Sequence, residues 1–169
     1  ATTLSGLLPH QPLGKIFSTL ALEPNVKKLE PGMVIFLDDK KITRYANQRR
    51  WISEAEHQFT SKGQTKFWDT LFTMEAELWN MLEHLVYFPP TSFHDALTLL
   101  PLVKPSQHRT STGLIRPLSI LLEQYGLHND NQFVRFVDEQ LLISTQNKSD
   151  LAPLLPSSIG LVYPSETYY

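Results

Sequence analysis

The sequence predicts a mainly α-helical fold of the α+β class, in which a bundle-like set of helices and one N-terminal β-hairpin form a single domain over residues 1–169. Three observations support this prediction. The length of 169 residues, with 41% hydrophobic and 19% charged side chains, is enough for one core of ordinary size. A long stretch after residue 64 repeats apolar side chains at helical spacing, and a shorter stretch near residue 35 has the composition of a hairpin.

Composition and charge exclude several classes of protein. The chain has no cysteine, which excludes disulfide frameworks, thiolate zinc sites and cysteine nucleophiles. The formal net charge is −2, so attraction to a polyanion must come from a local cluster. No apolar run approaches the roughly 20 residues that span a bilayer, and no basic start precedes an apolar core. We therefore expect a cytoplasmic protein without a membrane partner, and its first residue, Ala1 instead of Met, is typical of a processed chain or a fragment.

The N-terminal part is predicted to combine loops, one short helix and the hairpin. Prolines punctuate residues 1–32, and Pro12 predicts the start of a helix because proline suits the first helical turn. The following stretch MVIFLDDKKITRYA has two β-type runs around a polar tip. It predicts a β-hairpin over residues 33–46, with strands Met33–Leu37 and Lys41–Ala46.

The helical core is predicted over residues 53–143. Ser53 and Glu56 have the Ser-x-x-Glu spacing of a capping box and predict the start of its first helix. A helix over residues 66–86 follows and ends before a Pro-Pro pair. It has two neighbouring rows of apolar side chains, a pattern that needs packing on two sides. The rows are Phe67, Leu71, Met74, Leu78, Met81 and Leu85, and Trp68, Phe72, Trp79, Leu82 and Val86, with Glu75 interrupting the second.

Three further helices and a tail complete the predicted fold. The stretch SFHDALTLL predicts a helix that stops at Pro101, and GLIRPLSILLEQYG predicts another that is closed by Gly126. The last helix starts at an Asn129 or Asp130 cap. The Pro- and Ser-punctuated residues 148–169 predict an extended tail that packs on the surface.

The twelve residues KKITRYANQRRW, positions 40–51, hold five of the chain's fifteen basic side chains and no acid. Such a cluster is typical of a surface that neutralises phosphates, and aromatic rings within it are suited to stacking on bases. We therefore predict a site for nucleic acid or for an acidic protein partner. Its residues are Lys40, Lys41, Arg44, Tyr45, Arg49, Arg50 and Trp51.

An alternative assigns the same charges to the protein's own fold. Residues 53–95 contain seven acids and two lysines, so the basic hairpin is also suited to lie against an acidic helical face. In this interpretation Trp51 belongs to the core or covers it. The sequence leaves both interpretations open.

The six histidines do not show the i, i+4 spacing of a helical metalloprotease motif. His94-Asp95 resembles the His-Asp dipeptide of the metal-dependent phosphohydrolases. The resemblance implies a hydrolase in which His57 and Asp138 are further ligand candidates. In this sequence, however, the dipeptide follows Pro-Pro-Thr-Ser-Phe, where Asp95 is explained as an acid at the start of a helix.

A second resemblance lies in the stretch LPLVKPSQHRTSTGLIRPL. It is similar to a Leu-Pro…His…Gly-Leu…His-Leu segment of the relaxases of large conjugative elements, which carry a related metal domain. His108, Gly113 and Leu114 match this pattern, but Pro117 stands where a metal-ligand histidine is expected. No site residue is carried over, and we predict no catalytic residue, no metal site and no cofactor.

Three hypotheses for the function follow. The first is a non-enzymatic interaction or adaptor module, a subunit of a larger intracellular assembly with a protein partner, in which the 66–86 helix offers a surface for homo-oligomers. The second is a nucleic-acid-binding protein that uses residues 40–51. The third is a metal-dependent phosphohydrolase that uses His94 and Asp95. We favour the first because it requires no feature that the sequence lacks.

Overall fold

The computed structural model describes residues 5–9, 11–60, 62–83 and 116–169. Within these ranges the chain forms six α-helices and one two-stranded antiparallel sheet, which confirms the predicted mainly α fold with one hairpin. The helices are α1 (Pro12–Thr19), α2 (Gln48–Gln58), α3 (Gln64–Glu83), α4 (Ser119–Gln124), α5 (Asn131–Ser144) and α6 (Leu154–Val162), and the strands are β1 (Met33–Leu37) and β2 (Lys40–Arg44). A 3-10 helix, Tyr163–Glu166, follows α6. The helix predicted to stop at Pro101 lies outside the described residues.

One cluster of buried side chains joins the hairpin to α2, α3, α4, α5 and α6. Its centre is aromatic: Trp51 contacts Trp68 edge to face with ring centroids 4.9 Å apart and stacks on Phe136 at 5.9 Å. Phe133 contacts Phe67 at 5.5 Å and Phe136 at 6.2 Å. Offset and edge-to-face pairs of this kind add to the stabilisation that burial of their surface gives.

The N-terminal segment is held against the C-terminus of the chain. The helix predicted at Pro12 forms, with this proline in its first turn. Lys27 and Tyr169 exchange two main-chain hydrogen bonds of 2.9 and 3.0 Å, and Gly32 approaches Pro164 so closely that a β-carbon there would lie 1.9 Å from the Pro164 oxygen. Residues 27–32 are therefore fixed by main-chain pairing and close contact.

The predicted hairpin is confirmed, and β2 is displaced from its predicted bounds. Val34 is paired with Thr43 and Phe36 with Lys41, and the two strands meet at the turn formed by Asp38 and Asp39. Asp38 has a φ of 53°, a left-handed conformation that aspartate tolerates in turns. The strand β2 begins one residue before the predicted Lys41 and ends at Arg44, two residues before the predicted end.

Helix α2 begins five residues before the predicted Ser53, so the capping-box prediction is wrong. The side chain of Asn47 accepts a hydrogen bond of 3.0 Å from the main-chain N–H of Arg50 and caps the helix instead. The earlier start places Trp51 and Ala55 on the face that is buried in the core.

Helix α3 confirms the first predicted apolar row as far as the structure describes its side chains. Phe67, Leu71, Met74 and Leu78 are buried, and Trp68 of the second row is buried as well. The helix packs against α6 and α2, which supply the neighbours on two sides that the pattern required. Neither α3 nor any other described helix has the length and apolar character to cross a membrane.

Of the predicted helix GLIRPLSILLEQYG, the described part is helical only from Ser119, after Arg116 and Pro117, and the cap of the next helix follows the prediction. Gly126 has a φ of 72° directly after α4, as a glycine that closes a helix does. Asp130 is the cap of α5 and accepts hydrogen bonds from the main-chain N–H groups of Phe133, at 3.0 Å, and of Thr60, at 2.7 Å. Burial alone would raise the pKa of Asp130, but these donors and the charge of Lys40 lower it on balance.

The predicted extended tail, residues 148–169, is wrong because most of its second half is helical. In α6 the side chains of Leu154, Leu155, Leu161 and Val162 are buried, and the 3-10 helix follows directly. Pro156 lies in the first turn, where the missing N–H breaks no hydrogen bond of the helix. The hydroxyls of Ser157 and Ser158 donate to the carbonyls of Pro153 and Leu155, so the residues that favoured an extended tail fit inside a helix.

Two glycines with positive φ provide a matched test of how close packing constrains the chain. Gly63 has a φ of 94° and Gly126 a φ of 72°, so Gly63→Ala and Gly126→Ala both introduce backbone strain of about 1 kcal/mol. A β-carbon at Gly63 would lie 2.3 Å from the main-chain oxygen of Tyr125, whereas one at Gly126 has no atom within 4 Å. We expect Gly63→Ala to lower the free energy of unfolding by about 1–3 kcal/mol more than Gly126→Ala, measured by urea denaturation. Equal losses would contradict the contact between the start of α3 and the end of α4.

Candidate functional site

The seven residues of the predicted basic site lie on β2, on the short link after it and on the first turns of α2. Lys40 and Lys41 open β2, and Arg44 closes it. Arg49 and Arg50 lie in the first turn of α2 because Asn47 caps that helix. The structure therefore places the basic residues close together along the chain but directs their side chains to different surroundings.

Arg44 and Trp51 belong to the core, which corrects their assignment to a surface site. The Arg44 side chain is only 1% exposed, and its guanidinium carbon lies 3.8 Å from the centroid of the Trp51 ring and 4.8 Å from that of Trp68. Its Nη2 atom donates to the main-chain oxygen of Leu161 in the last turn of α6. Two cation–π contacts and a helix C-terminus thus surround the charge, while its Nε and Nη1 atoms have no hydrogen-bond partner among the described residues.

Burial lowers the pKa of Arg44 to about 9. The guanidinium therefore stays protonated at neutral pH, about two units below that value. No carboxylate pairs with it within the described part of the chain. The cation is held by aromatic rings and a carbonyl, and it is inaccessible to a polyanion.

Two other members of the basic site are partly used within the fold. Arg50 forms an ion pair of 3.3 Å with Glu30, and its guanidinium lies 4.0 Å from the centroid of the Tyr45 ring. Lys40 donates to the main-chain oxygen of Gln58 and lies over a ring of the core. The acid that pairs with the basic segment, Glu30, precedes the hairpin, and no described ion pair joins this segment to the acids of residues 53–83.

Lys41 and Arg49 are the members whose side chains are exposed and make no hydrogen bond or ion pair with the described residues. Lys41 projects from the sheet beside the exposed Phe36, its partner in the strand register. Arg49 lies on the exposed side of α2. The structure therefore leaves two free cations of the predicted five, and the prediction of nucleic-acid binding by residues 40–51 stays a prediction.

Apolar residues that were not among the predicted site residues lie on the same face of the hairpin. Val34 is 39% and Phe36 is 76% exposed, whereas Leu37 is buried. We call Val34, Phe36, Lys41 and Thr43 the outer face of the hairpin. The alternation of side chains along MVIFL, which places residues 34 and 36 opposite residues 33, 35 and 37, is the signal that identifies this face.

The two edges of the hairpin differ. The edge of β2 is covered by α2, where Glu54 accepts a hydrogen bond of 3.2 Å from the Thr43 N–H and Gln58 donates one of 3.2 Å to the Lys41 carbonyl. In the described residues β1 has β2 as its only strand neighbour, so its second edge carries no strand. The outer face and this open edge adjoin each other.

The hypothesis of a metal-dependent phosphohydrolase rests mainly on residues that the structure does not describe. His94, Asp95 and His108 lie outside the described ranges. Among the residues described, no group of three or more His, Asp or Glu side chains could hold a metal ion. An open cleft of about 450 Å³ lies at the start of α3, and the residues that line it are exposed or half-buried. They are Lys62, Gly63, Thr65, Lys66, Gln124 and Tyr125.

Glu75, the acid that interrupts an apolar row of α3, is buried in a way that the sequence did not predict. The residue is 9% exposed, and burial raises the pKa of Glu75 to about 7, with a further contribution from the negative charge of Glu166. The indole of Trp79 opposes this rise, but its buried Nε1 makes no hydrogen bond of good geometry within the described residues. The acid and its charged neighbour lie on elements far apart in sequence, so only the fold reveals their proximity.

The raised pKa of Glu75 predicts a pH-dependent loss of stability. The folded state retains the proton between the ordinary pKa of 4.5 and about 7, so the wild type loses stability as the pH rises through this range. Glu75→Gln removes this loss. The gain in free energy of unfolding of Glu75→Gln over the wild type should therefore be about 1–2 kcal/mol larger at pH 8 than at pH 5. This difference is smaller than the full pKa shift implies, because Glu75 is partly in contact with solvent. Urea denaturation at both pH values measures the difference, with Glu139→Gln, at an exposed acid of α5, as the control. A gain that is equal at pH 5 and pH 8 would contradict the burial of a titrating acid.

Comparison with known proteins identifies no family for this chain. No protein-family model, no curated protein and no solved structure matches the chain. The function must therefore be argued from the hairpin and its surroundings alone.

Proposed function

We propose that this chain is a non-enzymatic interaction module, a subunit of a larger intracellular assembly, that binds a protein partner through the outer face of the hairpin. The observation that carries the proposal is the exposure of Phe36, at 76%, beside Val34 at 39%. Adjacent exposed apolar side chains on a rigid element are typical of contact sites between proteins. The unpaired cation of Lys41 on the same face gives the contact a charge preference.

The rigidity of the hairpin supports this role. Ile42 is fully buried, Leu37 is 7% exposed, and Arg44 fixes the end of β2 between two tryptophans. A surface that is already ordered loses little conformational entropy when a partner binds. The packing of the inner face of the hairpin against the core therefore holds the outer face in one conformation.

The predicted interface on the 66–86 helix is less suited to a partner over the residues that the structure describes. Phe67, Leu71 and Met74 already contact the chain's own core. Homo-oligomers through this helix stay a prediction, and the hairpin is the better candidate because Phe36 and Val34 remain exposed.

Truncation of Phe36 tests the proposal. We expect Phe36→Ser to leave the fold intact, since the side chain is exposed, and to reduce capture of the partner at least about tenfold, because one buried phenylalanine contributes about 2 kcal/mol to a contact. The measurement is quantitative affinity capture from an extract of the organism that encodes the chain. Ile143→Ser is the matched control, since Ile143 is 79% exposed on α5.

The outcome also separates a protein partner from nucleic acid. Capture that depends on Phe36 and survives nuclease treatment supports the proposal. Capture that is lost with nuclease, with rising salt and in Lys41→Glu/Arg49→Glu, yet unchanged in Phe36→Ser, would instead favour nucleic acid as the partner. The absence of any component that depends on Phe36 would refute the role of the outer face.

A further inference from the structure

The open edge of β1 has main-chain hydrogen-bonding groups that point away from β2. In an antiparallel pair, the N–H and C=O groups of a residue point to the same side, alternately toward and away from the neighbouring strand. The Thr43 N–H and the Lys41 carbonyl point away from β1, to Glu54 and Gln58 of α2. Their register partners Val34 and Phe36 must therefore point their N–H and C=O groups away from β2, along the open edge.

This edge lacks the features that usually prevent strand pairing. The strand β1, with the sequence MVIFL, carries no charge and no proline, and all five of its residues stay in register with β2, so it contains no bulge. The opposite edge, on β2, is covered by two side chains of α2. Within the described part of the chain, one edge of the sheet is thus covered by α2, and the other has no strand beside it.

Charge indicates what kind of strand fits. A strand added to β1 would direct alternate side chains over Val34 and Phe36, which favours apolar residues at those positions. Lys41 lies beside Phe36 on the same face, is exposed, and has no ion pair among the described residues. A carboxylate from the added strand would be the charge that complements it.

We propose that β1 binds an extended segment of a partner protein as a third strand, with apolar side chains at alternate positions and an acidic side chain that reaches Lys41. This inference rests on the proposed function and specifies how its site is used. Pairing of β1 with β1 of a second copy is less favoured, because the strand itself, MVIFL, contains no acid that could pair with Lys41.

The test selects twelve-residue peptides from a random display library on the wild-type protein and measures their affinities as synthetic peptides. We expect selected peptides to alternate apolar residues, to contain an acid, and to slow hydrogen exchange at the Val34 and Phe36 amides by at least about tenfold. Lys41→Glu should weaken their binding about fivefold or more. Failure to select any peptide, or selected peptides that leave both amides exchanging freely, would overturn the proposal.

A pair of substitutions at one position isolates the main-chain contact. Val34→Pro removes an N–H that faces away from β2, so the hairpin should still form, as proline is tolerated at strand edges. Val34→Thr retains the N–H and the branched shape. Loss of peptide binding in Val34→Pro with retention in Val34→Thr, both with wild-type circular dichroism, supports strand addition, and equal binding by both variants refutes it.

Failure of strand addition and failure of the proposed function give different experimental results. If partner capture depends on Phe36 but is equal for Val34→Pro and Val34→Thr, the outer face binds the partner without strand addition. If sedimentation shows concentration-dependent dimers in which the Val34 and Phe36 amides are protected without peptide, the occupant is a second copy and the proposal of a partner segment fails.

Discussion

A buried cation that pairs with no carboxylate of the described residues joins the hairpin to three helices. Arg44 extends from the end of β2, lies against Trp51 of α2 and Trp68 of α3, and donates to Leu161 near the end of α6. The lowered pKa of about 9 corresponds to a burial cost on the order of 5 kcal/mol. Two desolvated cation–π contacts of about 2 kcal/mol each and a charge-assisted hydrogen bond of about 2 kcal/mol together stabilise the folded state by slightly more than this burial cost. The rings and the helix terminus thus take the role that an acid has in an ordinary buried ion pair.

This arrangement determines what the rest of the hairpin presents. Because Arg44, Ile42 and Leu37 hold the inner face against the core, Val34 and Phe36 are directed outward. Because Glu54 and Gln58 occupy the edge of β2, the edge of β1 is the one that remains open within the ranges that the structure describes. The basic residues of positions 40–51 thereby fall into three groups: one in the core, some partly paired, and two that are free cations. The exposed apolar side chains of β1 are then the stronger candidate for a contact surface.

The sequence predicted what depends on local pattern. The helical spacing of α3, the cap at Asp130 and the hairpin around Asp38 all follow from residues that are neighbours in the chain, and each is confirmed. The errors arose where contacts distant in sequence decide. Burial of the apolar residues in LLPSSIGLV outweighed its Pro and Ser signals and made α6 a helix. Arg44 could not be distinguished from its basic neighbours, because the tryptophan of α3 and the carbonyl of α6 that receive it lie far along the chain.

Equilibrium urea unfolding of Arg44→Met, with Arg44→Lys alongside it, tests the role of the buried cation most directly. Methionine keeps much of the volume and removes the burial cost, but it loses the contacts with both rings and leaves the Leu161 carbonyl without its donor. We expect Arg44→Met to lower the free energy of unfolding by about 2 kcal/mol. Lysine should lower it further, because a compact ammonium is more strongly hydrated and cannot stack. An Arg44→Met protein as stable as the wild type, or more stable, would show that Arg44 only fills space and would contradict its role in joining the hairpin to the helices.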